Sequence, residues 1–167
     1  GQGANGAGIE PIWMSFFTDF LKAEAYARLG VSGNAKDAMI SGVRKSIETV
    51  HAFGAAKGQA VPATLVTPTD DYISEVESLY DAASDKMNVI GKEYWIAMYG
   101  NGVEAYNLYR RTGKPVDMQP MRAKDPGIFI YSFIYPANYV NLNNKATQKD
   151  NTASNKVFWD KNTFELK

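Results

Sequence analysis

A single histidine and a complete absence of cysteine narrow the chemistry this chain can do. Without Cys there is no thiolate nucleophile, no thiolate metal site and no disulfide framework. His51 alone builds no His-based metal cluster. A Ser-His-Asp relay would have to run through it, although it falls inside a helical pattern. Paired carboxylates for glycoside hydrolysis are the remaining acid–base option. Glu24, Glu48, Asp70, Asp71, Glu75, Glu77, Glu93 and Glu104 are available, but each falls on a helical pattern where a cap or a solvated charge explains it. The Asp70-Asp71 and Glu75/Glu77 groups lack the ordered Asp/Asn/Gly spacing of a calcium loop. Gly3-Ala4-Asn5-Gly6-Ala7-Gly8 is glycine-rich, but no strand precedes it and no βαβ pattern surrounds it, so it does not read as a phosphate loop. The expectation is a protein that is not an enzyme and that uses no cofactor and no metal.

Charge and aromatic content point instead to binding. Lys+Arg and Asp+Glu are both 18, for a formal net charge of zero. That balance lacks the basic face that releases counterions from nucleic acid, and it argues against electrostatic attachment to a membrane. No run approaches the ~20 apolar residues of a membrane span. Aromatic residues make up 13%, including ten Tyr and three Trp. Most aromatics fill cores, but Tyr and Trp also suit sugar platforms and interfaces, being apolar at one end and polar at the other. The first eight residues lack the basic and apolar regions of a signal peptide. With no initiator Met, the chain is expected to be a piece of a longer protein.

The elements that must position these groups are helices over the first two thirds. Residues 1–15 read as a Gly-rich loop, 16–113 as helical and 114–167 as an irregular wrap, together one domain. Phe17, Phe20, Leu21, Ala25 and Leu29 fall at helical spacing after Ser15, with Gly30 as a C-cap. Asn34 caps a second helix with Ile40, Val43, Ile47 and Val50 on its apolar stripe. After a loop over 54–68, Thr69 caps a third, carrying Tyr72, Val76, Leu79 and Ala83. Ser84 caps a fourth, with Met87, Ile90, Tyr94 and Met98 inward. Gly100-Asn101-Gly102 separates it from a fifth over 103–111, which Gly113 and Pro115 stop. Beyond Lys114, prolines and asparagines replace the periodicity. The β-prone run 128–135 reads either as one strand or as an extended segment lying across the helices.

The stretch from Lys92 to Pro115, KEYWIAMYGNGVEAYNLYRRTGKP, resembles the C-terminal signature of SusD/RagB-like proteins. Its Gly-Asn-Gly, Glu-Ala-aromatic and Arg-Arg-Thr-Gly elements carry the likeness. Phe20-Leu21-Lys22-Ala23-Glu24-Ala25, Asn34 to Ile47, Tyr135-Pro136 through Asn143, and Lys156 to Asp160 resemble further family segments in the same order. The resemblance covers nearly the whole chain and corresponds to the C-terminal part of a longer family member. Three positions depart from the pattern. Tyr131-Ser132 replaces an arginine pair, Asn138 an acidic residue, and Asn143-Asn144 lacks an intervening proline. Within the signature, Gly100 and Gly102 permit φ > 0 at a tight break, with Asn101 between them. Trp95 and Tyr106 are expected on apolar faces, and Arg110 and Arg111 to reach helix-end carbonyls or Glu104.

The resemblance implies a mainly α fold of tetratricopeptide-related helix pairs. It also implies a surface-exposed outer-membrane lipoprotein that binds oligosaccharides without catalysis and passes them to a SusC-like TonB-dependent transporter. Membrane contact would come only through an N-terminal lipid anchor outside this chain. In the family, part of the sugar site comes from loops before the first helix. Here that implies Trp13 as a platform and Asn5 as a hydrogen-bonding partner, against the reading of Trp13 as a hydrophobic staple on the helix entrance. A second reading is a scaffold or protein-interaction module with no ligand site in these residues.

Overall fold

The computed structural model describes residues 6–59, 68–119, 122, 124, 127, 129–150, 155–160 and 162. These residues form six helices: α1 (Ser15–Arg28), α2 (Ala35–Ala56), α3 (Thr69–Ala82), α4 (Lys86–Ala97), α5 (Gly102–Thr112) and α6 (Ala137–Leu142). No strand occurs among the described residues, so the fold is mainly α as expected.

The core forms where α1 lies against α2 and α4. Phe16, Phe17, Phe20 and Ala23 of α1 are buried with Met39 and Val43 of α2 and with Met87, Ile90 and Tyr94 of α4. Phe20 stacks on Tyr94 with centroids 4.9 Å apart, and Phe17 meets the same ring obliquely at 5.7 Å. Such pairs add to the area term that drives burial. Gly42 lets α2 close over Phe20, because a Cβ there would sit 2.8 Å from the ring. The expected inward set of α4 is buried throughout, Met98 included. On α3, Ile73 joins Val76 in the core, while Leu79 is exposed. Val50 and Leu29, placed on apolar stripes by spacing, are also exposed; Leu29 lies just past the end of α1, and Val50 borders an open cleft.

Caps follow the sequence in part. Asn34 accepts from the backbone N–H of Lys36 and Asp37 at 3.0 and 3.2 Å. Gly30 follows α1, and Gly113 ends α5 with φ +66. Ser15 and Thr69 do not cap. Each is the first residue of its helix, after Met14 and Pro68. Ser84 gives way to Asp85, whose carboxylate accepts from Asn88 N–H at 3.1 Å and also pairs with Lys114. The Lys114 ammonium beside it holds the Asp85 carboxyl below the usual carboxylate range. The described part of the β-prone run, 129–135, is irregular chain laid on α5. Phe129 packs between Tyr106 and Tyr109 at 5.5 and 5.4 Å.

Candidate functional site

The α4–α5 corner builds the site from its glycine and asparagine. Gly100 takes φ +93, where L side chains are strained, and a Cβ there would touch Pro11 at 3.3 Å. Gly102, also expected to use positive φ, is instead the first helical residue of α5 and has open space around it. Between them Asn101 is buried and makes three hydrogen bonds. Its Oδ1 accepts from Glu104 N–H at 2.9 Å, which caps α5. Its Nδ2 donates to the carbonyls of Pro11 and Ile12 at 2.8 and 3.1 Å. One side chain therefore starts α5 and fastens the loop that enters α1, some 90 residues earlier in the chain. Sequence reasoning placed Asn101 in a break and missed this tie. The only local signal was a good capping residue three positions before Glu104.

Trp13 follows that fastened loop directly. Its ring sits edge-on to Phe17 at 5.8 Å, and Phe17 is fully buried. Even so, 53% of Trp13 remains exposed beside the more exposed Ile12. The contact expected of a staple is thus present, and about half of the ring remains open to solvent. The same loop lines two clefts. Pro11 and Ile12 face a cleft of about 370 Å³ that Asn101 and Glu104 also line. Ile9, Pro11 and Met14 border an apolar cleft of about 490 Å³ toward His51 and Tyr99. Trp13 itself lines neither. Asn5, expected beside it, lies outside the described residues.

The arginines of the signature do not meet Glu104, whose carboxylate accepts only a long 3.4 Å contact from Asn107. Arg111 forks onto Glu24 of α1, with Nε to Oε1 at 3.0 Å and an η nitrogen to Oε2 at 2.6 Å. This fork draws the Arg111 guanidinium above its ordinary value. Arg110 lies between the rings of Tyr106 and Trp159, at 4.6 and 4.5 Å, and donates to Tyr131 O and Asn107 Oδ1. The carbonyls at the end of α5 are met by Asn162, whose Nδ2 donates to Arg110 O and Arg111 O. That satisfies helix-end acceptors with a tail residue where arginine was expected. Tyr106 is half-buried, but Trp95 is 41% exposed and leaves the apolar face assigned to it, since it follows buried Tyr94 by one position.

One buried carboxyl stands apart from any cleft. Glu93 accepts from Tyr72 Oη at 2.7 Å, and burial pushes its pKa up against that bond and Lys92. The Tyr72 hydroxyl is raised by the same burial and by its contact with Glu93. This hydrogen bond joins α3 to α4. No group of three or more His, Asp or Glu side chains that could hold a metal occurs among the described residues.

The chain belongs to the SusD-like family described as starch-binding associating with outer membrane, whose sequence profile matches residues 7–136. No curated protein and no solved structure matches it significantly. Membership implies starch or glycan binding associated with the outer membrane. No helix among the described residues is long and apolar enough to cross a membrane.

Proposed function

We propose that this chain serves in the non-catalytic, cell-surface binding of oligosaccharide nutrients for delivery to a SusC-like TonB-dependent outer-membrane transporter. Family membership supports the sugar and the membrane. The observation that carries the site is Trp13: a half-exposed ring, braced on Phe17 and carried by a loop that Asn101 fastens. A rigid ring stacks on the apolar face of a sugar at little conformational cost. The transporter, the lipid anchor and a role for Asn5 rest on the family resemblance.

The test is calorimetric titration of maltoheptaose into the chain and into Trp13→Ala. Binding by Trp13 predicts a loss of roughly 1–3 kcal/mol, the scale of an aromatic anchor, with little change in melting temperature. A fall of several degrees with affinity unchanged makes Trp13 a staple. The second reading, a scaffold with no sugar site here, is favoured by the apolar cleft bordered by exposed Val50, Ile96 and Tyr99. It predicts no sugar binding by either protein.

A further inference from the structure

A third cleft, of about 480 Å³, opens where α5 meets the irregular tail. Three cations line it, Arg110, Lys149 and Lys156, and none of the described residues that line it is a carboxylate. In a chain with equal numbers of acids and bases, that is a local concentration of one sign. Of the acids nearest in sequence, Asp150 accepts from Asn155 at the cleft's edge, and Asp160 accepts from Asn162 at 2.9 and 3.0 Å, so three cations stand against one neighbouring carboxylate. Aromatic rings complete the walls. Phe158 is 87% exposed, Phe133 79%, Trp159 50% and Tyr135 42%.

The cations are held in place by these surroundings. Lys149 donates to Ser132 Oγ at 2.6 Å and stands 5.1 Å over the Tyr135 ring. Lys156 donates to Asn162 O and stands 5.1 Å over Tyr131. Arg110 is buried between the rings of Tyr106 and Trp159.

We propose that this cleft binds the uronate units of an acidic oligosaccharide, a statement that rests on reading the chain as an oligosaccharide binder. Exposed rings suit pyranose faces, and fixed cations suit the carboxylate that a uronate carries in place of a hydroxymethyl group. Three cations are too few for nucleic acid, whose specific binders neutralise many more phosphates. Flat exposed rings favour a sugar over an acidic peptide.

The experiment titrates tri-galacturonate, maltotriose and tri-glutamate into the chain, into Lys149→Gln, into Lys156→Gln and into Phe158→Ala, with melting curves to confirm that each is folded. The expected result is tri-galacturonate binding at least tenfold tighter than maltotriose or tri-glutamate and weakening as salt rises. Each lysine substitution should weaken it about three- to fivefold, the scale of a partly exposed ion pair, with maltotriose affinity unchanged. Phe158→Ala should weaken both sugars. Equal affinity for tri-galacturonate and maltotriose, or equal affinity for tri-glutamate, overturns the proposal. So does uronate binding that both lysine substitutions leave unchanged. If neutral sugar binds through Trp13 while tri-galacturonate does not bind, this cleft is refuted and the reading of the chain as an oligosaccharide binder stands. If no sugar of either kind binds, both fall together.

Discussion

Asn101→Asp separates the two tasks of one side chain. The aspartate keeps an oxygen for the Glu104 N–H, and Asp is as good a helix cap as Asn. Its charge also lies favourably at the start of α5, by about 0.3–1 kcal/mol. What it loses is the Nδ2 donor to the Pro11 and Ile12 carbonyls, at 2.8 and 3.1 Å, the first of them a buried bond. Two carbonyls then face a carboxylate oxygen. A buried acceptor left without its donor costs about 1–3 kcal/mol, so the net loss is about 2 kcal/mol after the cap's gain. For a chain of this length that lowers the melting temperature by about 4–8 °C. Asn101→Ala removes the cap as well and should cost about 1 kcal/mol more. Because the loop carries Trp13, Asn101→Asp should also weaken maltoheptaose binding in the folded fraction. The assay is thermal melting by circular dichroism together with calorimetric titration. Were Asn101→Asp to melt within a degree of the parent while Asn101→Ala melted far below it, the cap would be the whole of the residue's role. The tie to the α1 entrance would then be refuted.

Three further substitutions test the surrounding packing. Glu24→Gln removes the anion from the Arg111 fork and should cost about 1–3 kcal/mol. A double-mutant cycle with Arg111→Met should show coupling near 1 kcal/mol or more, and coupling near zero would mean the fork does not join α1 to α5. Gly100→Ala should cost about 1–3 kcal/mol through strained φ, whereas Gly102→Ala, with open space and helical backbone, should change the urea midpoint little. Similar losses at both would contradict the corner's geometry. Glu93→Gln tests burial of a charge through pH. Burial raises the Glu93 carboxyl in the folded state above its unfolded value of about 4.3. The folded state therefore binds more protons, and the parent loses stability as pH rises from about 4 through the raised value. Gln keeps an acceptor for Tyr72 without that loss, so it should match the parent near pH 4 and melt higher at pH 7. A lower melting temperature at pH 7 would refute the sign.

Local periodicity made the helices legible. Met87, Ile90, Tyr94 and Met98 repeat at three and four residues, and all four are buried. Asn34 and Gly113 could be assigned because capping depends on a side chain within three residues or on one backbone angle. Adjacent good cappers were harder. Ser84 and Asp85 are both acceptable, and the contact that favours Asp85 comes from Lys114, 29 residues away. The parts that escaped are those made by distant partners. Nothing near Asn101 announces Pro11, and nothing near Arg110 announces Trp159 or Asn162. The aromatic run has strand-like composition, but no second strand occurs among the described residues; Phe129 packs on α5 and Tyr131 is buried, while Phe133 and Tyr135 stay exposed, so composition and conformation part company.

Those distant contacts share one element, and that gives α5 its importance. At its N-terminus Asn101 fastens the loop bearing Trp13. At its C-terminus Arg110 is gripped by Trp159, while Asn162 satisfies the last carbonyls, so the tail that forms the cationic cleft is seated on the same helix. In the same last turn, Arg111 anchors the helix to α1 through Glu24. A helix of 11 residues is too short to hold itself in water. It depends on these end contacts, and they in turn place the two aromatic surfaces. The signature stretch therefore bears on both aromatic surfaces through what it fastens, and through Arg110 it also lines the cationic cleft. Apart from Arg110, substitutions in it should act on stability first and on affinity through the loop or tail they release. A change at Trp13 or Lys149 should act on affinity with the melting temperature nearly fixed.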